Sequence, residues 1–179
     1  MNIFFLSLIP RRCARWHCDK HVVKMILEYC QILYTTHHLL GSELPPDAYK
    51  QTHKKHPSVL WTVSNKKHYD WLCCLALELN REYEFRYEPK RPHACHKHLL
   101  WLQENPPHAI LDLTWTDPPP AMPDQYKVPG NSIESYRNFY RIDKSKKGII
   151  AYTSRKLPPW WNCKSLLQTP GSSSPTLLL

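Results

Sequence analysis

One stretch near the beginning of the chain carries side chains that can transfer protons, attack carbon or bind phosphate. Its polar residues recur at steps of three or four, the spacing that places side chains on one face of a helix. The stripe consists of His17, His21, Lys24, Glu28, Gln31, Thr35 and His38. We interpret His21, Lys24 and Glu28 as candidate catalytic residues, since a carboxylate beside an amine and an imidazole can serve as acid, base or cation stabiliser. The alternative is a solvated helix face with an ordinary Lys24–Glu28 ion pair.

A second segment, towards the other end of the chain, alternates positive charge with aromatic rings. Such a mixture suits nucleic acid, because cations pair with phosphates and rings stack on exposed bases. Arg137, Arg141 and Lys144 fall on one face of a helix. Adding His17 of the first stripe and the nearby Lys20, we predict a nucleic-acid-binding set of His17, Lys20, Tyr136, Arg137, Tyr140, Arg141 and Lys144. The alternative is that the rings belong to the core and the charges face solvent.

Histidine and cysteine are frequent enough to raise the question of zinc. The chain has eleven histidines and seven cysteines, and two groups are dense: His17 to His21 and His93 to His98. Their spacing matches no zinc-finger pattern, so we predict neither a bound metal nor another cofactor, and a structural zinc remains the alternative. An odd number of cysteines without a CxxC pair indicates reduced thiols and an intracellular protein.

The charge balance narrows the class of partner. Twenty-four Lys and Arg residues against 15 Asp and Glu give a net charge of +9 and an isoelectric point near 9.2, which favours an anionic partner. No run approaches the roughly 20 apolar residues needed to cross a bilayer. The opening segment lacks the basic lead and the small-residue cleavage site of a secretory signal. We therefore expect nucleic acid, and not a membrane, as the partner.

The elements that must position these residues are mainly helices. Apolar periodicity and the Gly and Pro positions predict helices over Arg12–Leu40, Trp61–Tyr87, Pro92–Gln103 and Asn131–Lys144. Asn2–Ile9 reads as a short buried strand or extended segment. We predict a mainly α-helical, compact, monomeric single domain over residues 1–163 with long proline-rich loops. Residues 164–179, rich in Ser and Pro, are predicted to be a disordered tail.

Four segments of the chain resemble known viral proteins. They are CDKHVVKMILE (Cys18–Glu28), the opening MNIFFLSL, HPSVLW (His56–Trp61) and MPDQY (Met122–Tyr126). Over about Met1 to Tyr140 they resemble a family of small proteins from tailed phages and large DNA viruses, with DKHVVKM as its signature. The first segment is also distantly similar to the phage endonuclease V type of pyrimidine-dimer DNA glycosylase, an all-helical repair enzyme.

The second resemblance implies a base-excision activity. In that family a helix starts with Asp-x-His, and the catalytic Glu follows seven residues after the His. Asp19, His21 and Glu28 keep this order and spacing. The resemblance implies a glycosylase and abasic-site lyase acting on DNA rather than RNA. Glu28 would stabilise the developing sugar cation, and His21 would help to bind the phosphate. A viral protein of this kind would act in the host cytoplasm or nucleus.

The chain departs from that family at its nucleophile. The family attacks the sugar with the amine of residue 2 after the initiator Met is removed, whereas Asn2 is bulky enough that Met1 is expected to stay. Leu27 also stands where the family has an Arg before its catalytic Glu. Three amines therefore remain open as nucleophile: that of Met1, that of Asn2 if processing occurs, and Lys24. The alternative functions are a non-catalytic nucleic-acid-binding protein, with or without zinc, and a virion-associated protein.

Overall fold

The computed structural model describes residues 1–89 and 91–162, and α-helices make up most of its regular structure. The helices within these ranges are α1 Pro10–Trp16, α2 Asp19–Leu39, α3 Pro57–Val63, α4 Lys66–Tyr87, α5 His96–Glu104 and α6 Ser132–Phe139. The described ranges contain no β-strand, only an isolated bridge between Val128 and Asn131. The prediction of a mainly α-helical fold is confirmed. The tail predicted over 164–179 lies outside the described residues.

The long helix predicted over Arg12–Leu40 is in fact two helices, and His17 explains the break. Its Nδ1–H donates to the carbonyl oxygen of Cys13 at 2.8 Å, the acceptor that a continuing helix would offer to the backbone N–H of His17. His17 and Cys18 are then extended, with ψ of 134° and 159°. The backbone N–H of Asp19 donates to Ala151 at 2.9 Å, so a distant segment fixes the restart.

The helix predicted over Trp61–Tyr87 is also divided. Asn65 ends the first part, because its side chain caps α4 by accepting a hydrogen bond of 3.0 Å from the backbone of Lys67. The first part begins earlier than predicted, at Pro57, where proline suits the first helical turn. An N-cap inside an apolar pattern therefore overrode the helical periodicity from which the single helix was predicted.

The last two predicted helices differ from the structure at their ends. The helix expected from Pro92 begins only at His96. The helix expected to reach Lys144 ends at Phe139, and Tyr140–Lys144 form a single π-helical turn. Such turns widen the helix by one residue and often occur at functional sites. The change of pitch invalidates the prediction that Arg137, Arg141 and Lys144 share one face of an α-helix.

The core forms around α2 and α4, and the beginning of the chain is part of it. The opening segment has no strand pairing and instead runs as a buried coil, with Ile3, Phe5 and Leu6 fully buried. Burying each such side chain contributes about 1.5–3 kcal/mol, which holds residue 1 close to α2. No helix in the described part of the chain is both long and apolar enough to cross a membrane.

Candidate functional site

The beginning of the chain, α2 and the segment before α6 surround a pocket of about 230 Å³. The pocket brings together four of the residues predicted to be catalytic: Asn2, His21, Lys24 and Glu28. Lys144, predicted to bind nucleic acid, also lines it. The remaining walls are mostly apolar and come from Met1, Phe4, Met25, Ala121, Met122, Pro123 and Phe139. The helical spacing of the first stripe thus led to a real concave site.

Two amines face the carboxylate of Glu28. The backbone nitrogen of Met1 lies 3.6 Å from Glu28 Oε2, and Lys24 Nζ lies 3.0 Å from Oε1. The Glu28 side chain is 14% exposed and that of Met1 only 3%, whereas that of Lys24 is 63% exposed. The Met1 nitrogen is therefore held by a packed side chain, and the Lys24 amine stands in solvent at the rim.

Asn2 fixes the backbone that carries the Met1 nitrogen. Its Nδ2 donates to the carbonyl oxygen of Ala121 at 2.9 Å, and its Oδ1 accepts from the Tyr136 hydroxyl at 2.7 Å. The backbone N–H of Ile3 donates to the same Oδ1 at 2.8 Å. Both ends of the amide are satisfied by fixed groups, so the side chain of Asn2 acts as an anchor for the first residue.

His21 forms a wall of the pocket as a neutral ring. It stacks on Phe4 with ring centroids 4.1 Å apart, and its Nδ1 lies 2.6 Å from the Tyr140 hydroxyl oxygen. Burial, followed by the positive charges of neighbouring side chains, lowers the pKa of His21 to about 2; these neighbours are His17, Lys144, Lys24 and Lys20. Near neutral pH His21 would therefore offer a phosphate a hydrogen bond and no positive charge, and its phosphate role stays a prediction.

The lysines around the pocket supply its positive charge. Lys20 and Lys24 are exposed on the first turns of α2. Lys144 is partly covered, with its Nζ 3.0 Å from Asp143 Oδ2 and 4.0 Å from the centroid of the Phe139 ring. An anionic ligand in this pocket would meet Lys24 at the rim and Lys144 in the wall, whereas Lys20 does not line the pocket.

Three residues of the predicted nucleic-acid-binding set are core residues. His17, Tyr136 and Tyr140 are each 0% exposed. His17 donates from Nδ1 to Cys13, so its Nε2 accepts from the Tyr29 hydroxyl at 3.0 Å. None of the three rings has surface on which a base can stack, and their predicted contact with nucleic acid is wrong in this structure. The alternation of ring and charge in the sequence marks the buried and outer sides of α6.

Arg137 and Arg141 use much of their hydrogen-bonding capacity within the protein. Arg137 donates from Nε and Nη2 to the carbonyl oxygen of Leu6 at 3.2 and 3.1 Å. Arg141 is ion-paired with Glu134, and its side chain is only 9% exposed. A guanidinium already committed to a buried partner gains little from a phosphate. The structure thus corrects the prediction that these two arginines form an open phosphate-binding face.

The two histidines and the cysteine of the first group, His17, Cys18 and His21, are buried. Within residues 1–89 and 91–162, no group of three or more His, Cys, Asp or Glu side chains is arranged to hold a metal ion. Both ring nitrogens of His17 are already hydrogen-bonded. The six cysteines of the described ranges are free thiols, five of them buried.

Sequence reasoning assigned no role to a surface that the structure makes prominent. The segment PRRCARW forms α1, and its three arginines, Arg11, Arg12 and Arg15, are exposed. The signal was present in the sequence, since three arginines occur within five residues. Their common exposure became apparent only when Cys13 and Ala14 were seen to occupy the buried side of the helix.

Comparisons with known proteins give no assignment for this site. No protein-family model matches the chain, and no curated protein or solved structure shows significant similarity to it. The resemblances stated from the sequence motifs therefore remain predictions. The function has to be argued from the pocket itself, where an amine, a carboxylate and several lysines meet.

Proposed function

We propose that the chain is a DNA repair enzyme of the glycosylase and abasic-site lyase type, with the pocket around Met1 and Glu28 as its active site. The observation that carries the proposal is the 3.6 Å separation between the Met1 nitrogen and Glu28 Oε2 in a concave site. Covalent catalysis at a sugar carbon needs a nucleophilic amine and a group that stabilises positive charge. The Met1 nitrogen and the Glu28 carboxylate supply the two.

The proposed chemistry begins with attack of the neutral Met1 amine on C1′ of the damaged nucleotide. The glycosidic bond breaks, and the base leaves with the bonding electron pair and takes up a proton. The attacking amine passes one proton to Glu28, and its remaining lone pair forms the C=N bond as the C1′–O4′ bond opens. Glu28 returns that proton to O4′, which leaves a hydroxyl at C4′, and the carboxylate then stabilises the positive charge of the protonated imine. Loss of a C2′ proton then expels the 3′ phosphate with its electron pair and cuts the strand.

Orientation favours the Met1 amine over Lys24 as nucleophile. The side chain of Lys24 is 63% exposed, and the ion pair with Glu28 is the contact that holds its amine at the rim. The Met1 side chain is packed and Asn2 is anchored at both ends, which provides the orientation that raises effective concentration.

The size of the pocket supports a sugar as the reacting group. At about 230 Å³ it is below the range of roughly 300–1,000 Å³ typical of sites that enclose a drug-sized ligand. A nucleotide extruded from the duplex would place its deoxyribose against Glu28 and leave the base outside. An abasic site, which lacks the base, is the substrate that this pocket fits with least rearrangement.

The same contact has a purely structural interpretation. An ion pair between the first residue and Glu28 also anchors the beginning of the chain to α2, as many N-terminal ammonium groups are anchored. Covalent trapping separates the two. Borohydride reduces a protein–DNA imine to a stable adduct, and an anchoring ion pair forms no imine. Trapping on DNA with an abasic site supports catalysis, and its absence favours a non-catalytic binding protein.

A further inference from the structure

Helix α1 presents a strongly basic surface that lies outside the pocket. Cys13 and Ala14 are buried on its inner side, and Arg11, Arg12 and Arg15 project from its outer side. No ion pair joins any of these three guanidinium groups to a carboxylate within the part of the chain that the structure describes. The positive charge of α1 is therefore available to an external anion.

Other arginines of this protein are compensated by neighbouring acids. Arg81 pairs with Glu78 at 2.5 Å, and Arg86 and Arg155 both reach Glu82 at 2.8 Å. The contrast matters because an isolated row of guanidinium groups repels itself, whereas paired arginines are electrostatically neutral as a group. Arg11 and Arg15 share a depression with Glu78 and Glu82, but those carboxylates are ion-paired with Arg81, Arg86 and Arg155. Among the described residues the row on α1 has no such direct pair, and it would be stabilised by a polyanion.

Two depressions beside α1 give this surface a shape. One, of about 430 Å³, is lined by Ile9, Arg11, Arg12, Arg15 and Trp16. The other, of about 540 Å³, is lined by Arg12, Trp16, Arg137, Pro159 and Trp160. Because Arg12 and Trp16 border both, the two form one continuous groove along the helix, which we call the α1 groove. Its lining contains guanidinium groups, indole rings and apolar atoms, and no carboxylate.

The composition of the groove is that of a surface for nucleic-acid strands. Guanidinium groups bind phosphate oxygens through two parallel hydrogen bonds, and an accessible indole ring can stack on bases of any sequence. Trp16 is partly exposed, whereas Trp160 is buried. Trp16 already carries cations over its ring, with the guanidinium carbon of Arg12 at 5.9 Å and that of Arg137 at 5.3 Å from its centroid. A membrane surface would satisfy the charges but would leave the concave shape of the groove unfilled.

We propose that the α1 groove is a binding site for a nucleic-acid strand, in which Arg11, Arg12 and Arg15 contact successive phosphates and Trp16 stacks on one base. The proposal deepens the proposed function, since it rests on the same partner, but it does not depend on the chemistry at Glu28.

The groove and the pocket are connected through α6 and the opening segment. Arg137, in the wall of the groove, bonds to Leu6, which lies in the same segment as Met1. Lys144, in the pocket wall, belongs to the π-helical turn that directly follows α6. One bound strand can therefore occupy both, with the groove holding the backbone next to the reacting sugar.

The test measures affinity for an abasic-site duplex between about 50 and 200 mM salt. Duplex binding loses affinity with a slope of about 0.9 per neutralised phosphate on logarithmic axes. The variant Arg11→Ala, Arg12→Ala, Arg15→Ala should lower the slope by two to three units and weaken binding at least ten-fold at the lower salt. Replacing the same residues by Lys should preserve the slope. Trp16→Leu should weaken binding and leave the slope unchanged.

A matched control removes the same charge elsewhere. Lys50, Lys54 and Arg91 are exposed and lie outside the groove, and their joint replacement by Ala should change the slope by less than one unit. Equal losses of affinity in both triple variants would overturn the groove as a site and leave net charge as the cause of binding.

The groove and the catalytic proposal can fail separately. If the triple α1 variant binds like the unmodified protein, the groove proposal is overturned, and trapping on abasic DNA would still uphold the proposed function. Groove-dependent binding without trapping would uphold the groove and refute the catalytic proposal. Binding of anionic vesicles with no binding of DNA would overturn the groove proposal in favour of a lipid partner.

Discussion

The hydroxyl of Tyr136 donates a 2.7 Å hydrogen bond to Oδ1 of Asn2, and this contact joins α6 to the beginning of the chain. The Tyr136 oxygen in turn accepts a hydrogen bond of 3.2 Å from the backbone of Ala121. The position of the Met1 nitrogen beside Glu28 therefore depends on Tyr136, a residue that is distant in the sequence but in direct contact with Asn2.

Tyr136→Phe should reduce the rate of covalent trapping by roughly ten- to a hundred-fold, because small displacements of a nucleophile have effects of that size. Affinity for abasic DNA should change by no more than a few fold, since the hydroxyl lies behind the reacting groups. Single-turnover trapping measures the rate. Tyr34→Phe is the control, as it removes a buried hydroxyl bonded to His98, a residue that does not line the pocket. Equal slowing in both variants would mean that only general stability was lost.

Two variants divide the candidate amines. Protein with an acetylated N-terminus should form no borohydride adduct, whereas Lys24→Ala should form it with a yield close to that of the unmodified protein. Intact-mass measurement establishes beforehand whether Met1 is present, and therefore which α-amine exists. Loss of the adduct in Lys24→Ala alone would assign the lysine instead. Adduct yield in the acetylated protein and in Lys24→Ala therefore distinguishes the α-amine from the lysine amine.

Arg141 should contribute to folding more than to binding. Arg141→Ala removes the nearer of the two arginines paired with the largely buried carboxylate of Glu134 and leaves Arg137 at 3.7 Å. The free energy of unfolding should fall by about 2 kcal/mol. Arg81→Ala breaks an ion pair whose arginine is 72% exposed and should cost less than about 1 kcal/mol. Denaturant titration compares the two. An Arg141→Ala protein that is fully stable but shows a flattened salt dependence of DNA binding would restore Arg141 as a phosphate ligand.

The positions that the sequence predicted correctly are those whose neighbours lie on the same helix. His21, Lys24 and Glu28 share one face because α2 is regular from Asp19 onwards. His17 does not share that face, because its ring donates a hydrogen bond to the carbonyl oxygen of Cys13 and α1 ends there. That competition between a side chain and the backbone has no signature in the apolar periodicity.

Contacts between distant segments could not be predicted in this way. A run of arginines and tyrosines has the composition of a nucleic-acid surface whether or not its charges are paired. Arg137 reaches Leu6 and Tyr136 reaches Asn2 only because α6 packs against the opening segment. The approach of Met1 to Glu28 depends on the same packing. The sequence pattern therefore indicated Glu28 as a candidate but could not indicate which amine lies beside it.

Buried neutral histidines should make the protein sensitive to acid. Burial lowers the pKa of His17 from 6.5 to about 4, so the unfolded chain binds a proton that the folded protein does not. The stabilising contribution is complete above about pH 6.5 and falls as the pH is lowered towards 4, by at most about 1.4 kcal/mol per pH unit for each such residue. His17→Gln should show a smaller decline over this range in denaturant titrations at successive pH values. An unchanged decline would mean that other groups, including His21, account for it.

Covalent trapping on abasic DNA shows whether Glu28 and the amine beside it act on a sugar. Unmodified protein is incubated with DNA containing one abasic site in the presence of borohydride, and the adduct is measured by its mass. The amine condenses with the C1′ aldehyde and releases water, and hydride addition to the imine carbon gives a stable secondary amine. Glu28→Gln keeps size and hydrogen bonding but removes the charge, so it should abolish strand scission while DNA affinity stays within a few fold. We expect a one-to-one adduct at Met1 in the unmodified protein. Absence of any adduct between pH 5 and 9, from protein that binds the same DNA, would contradict it.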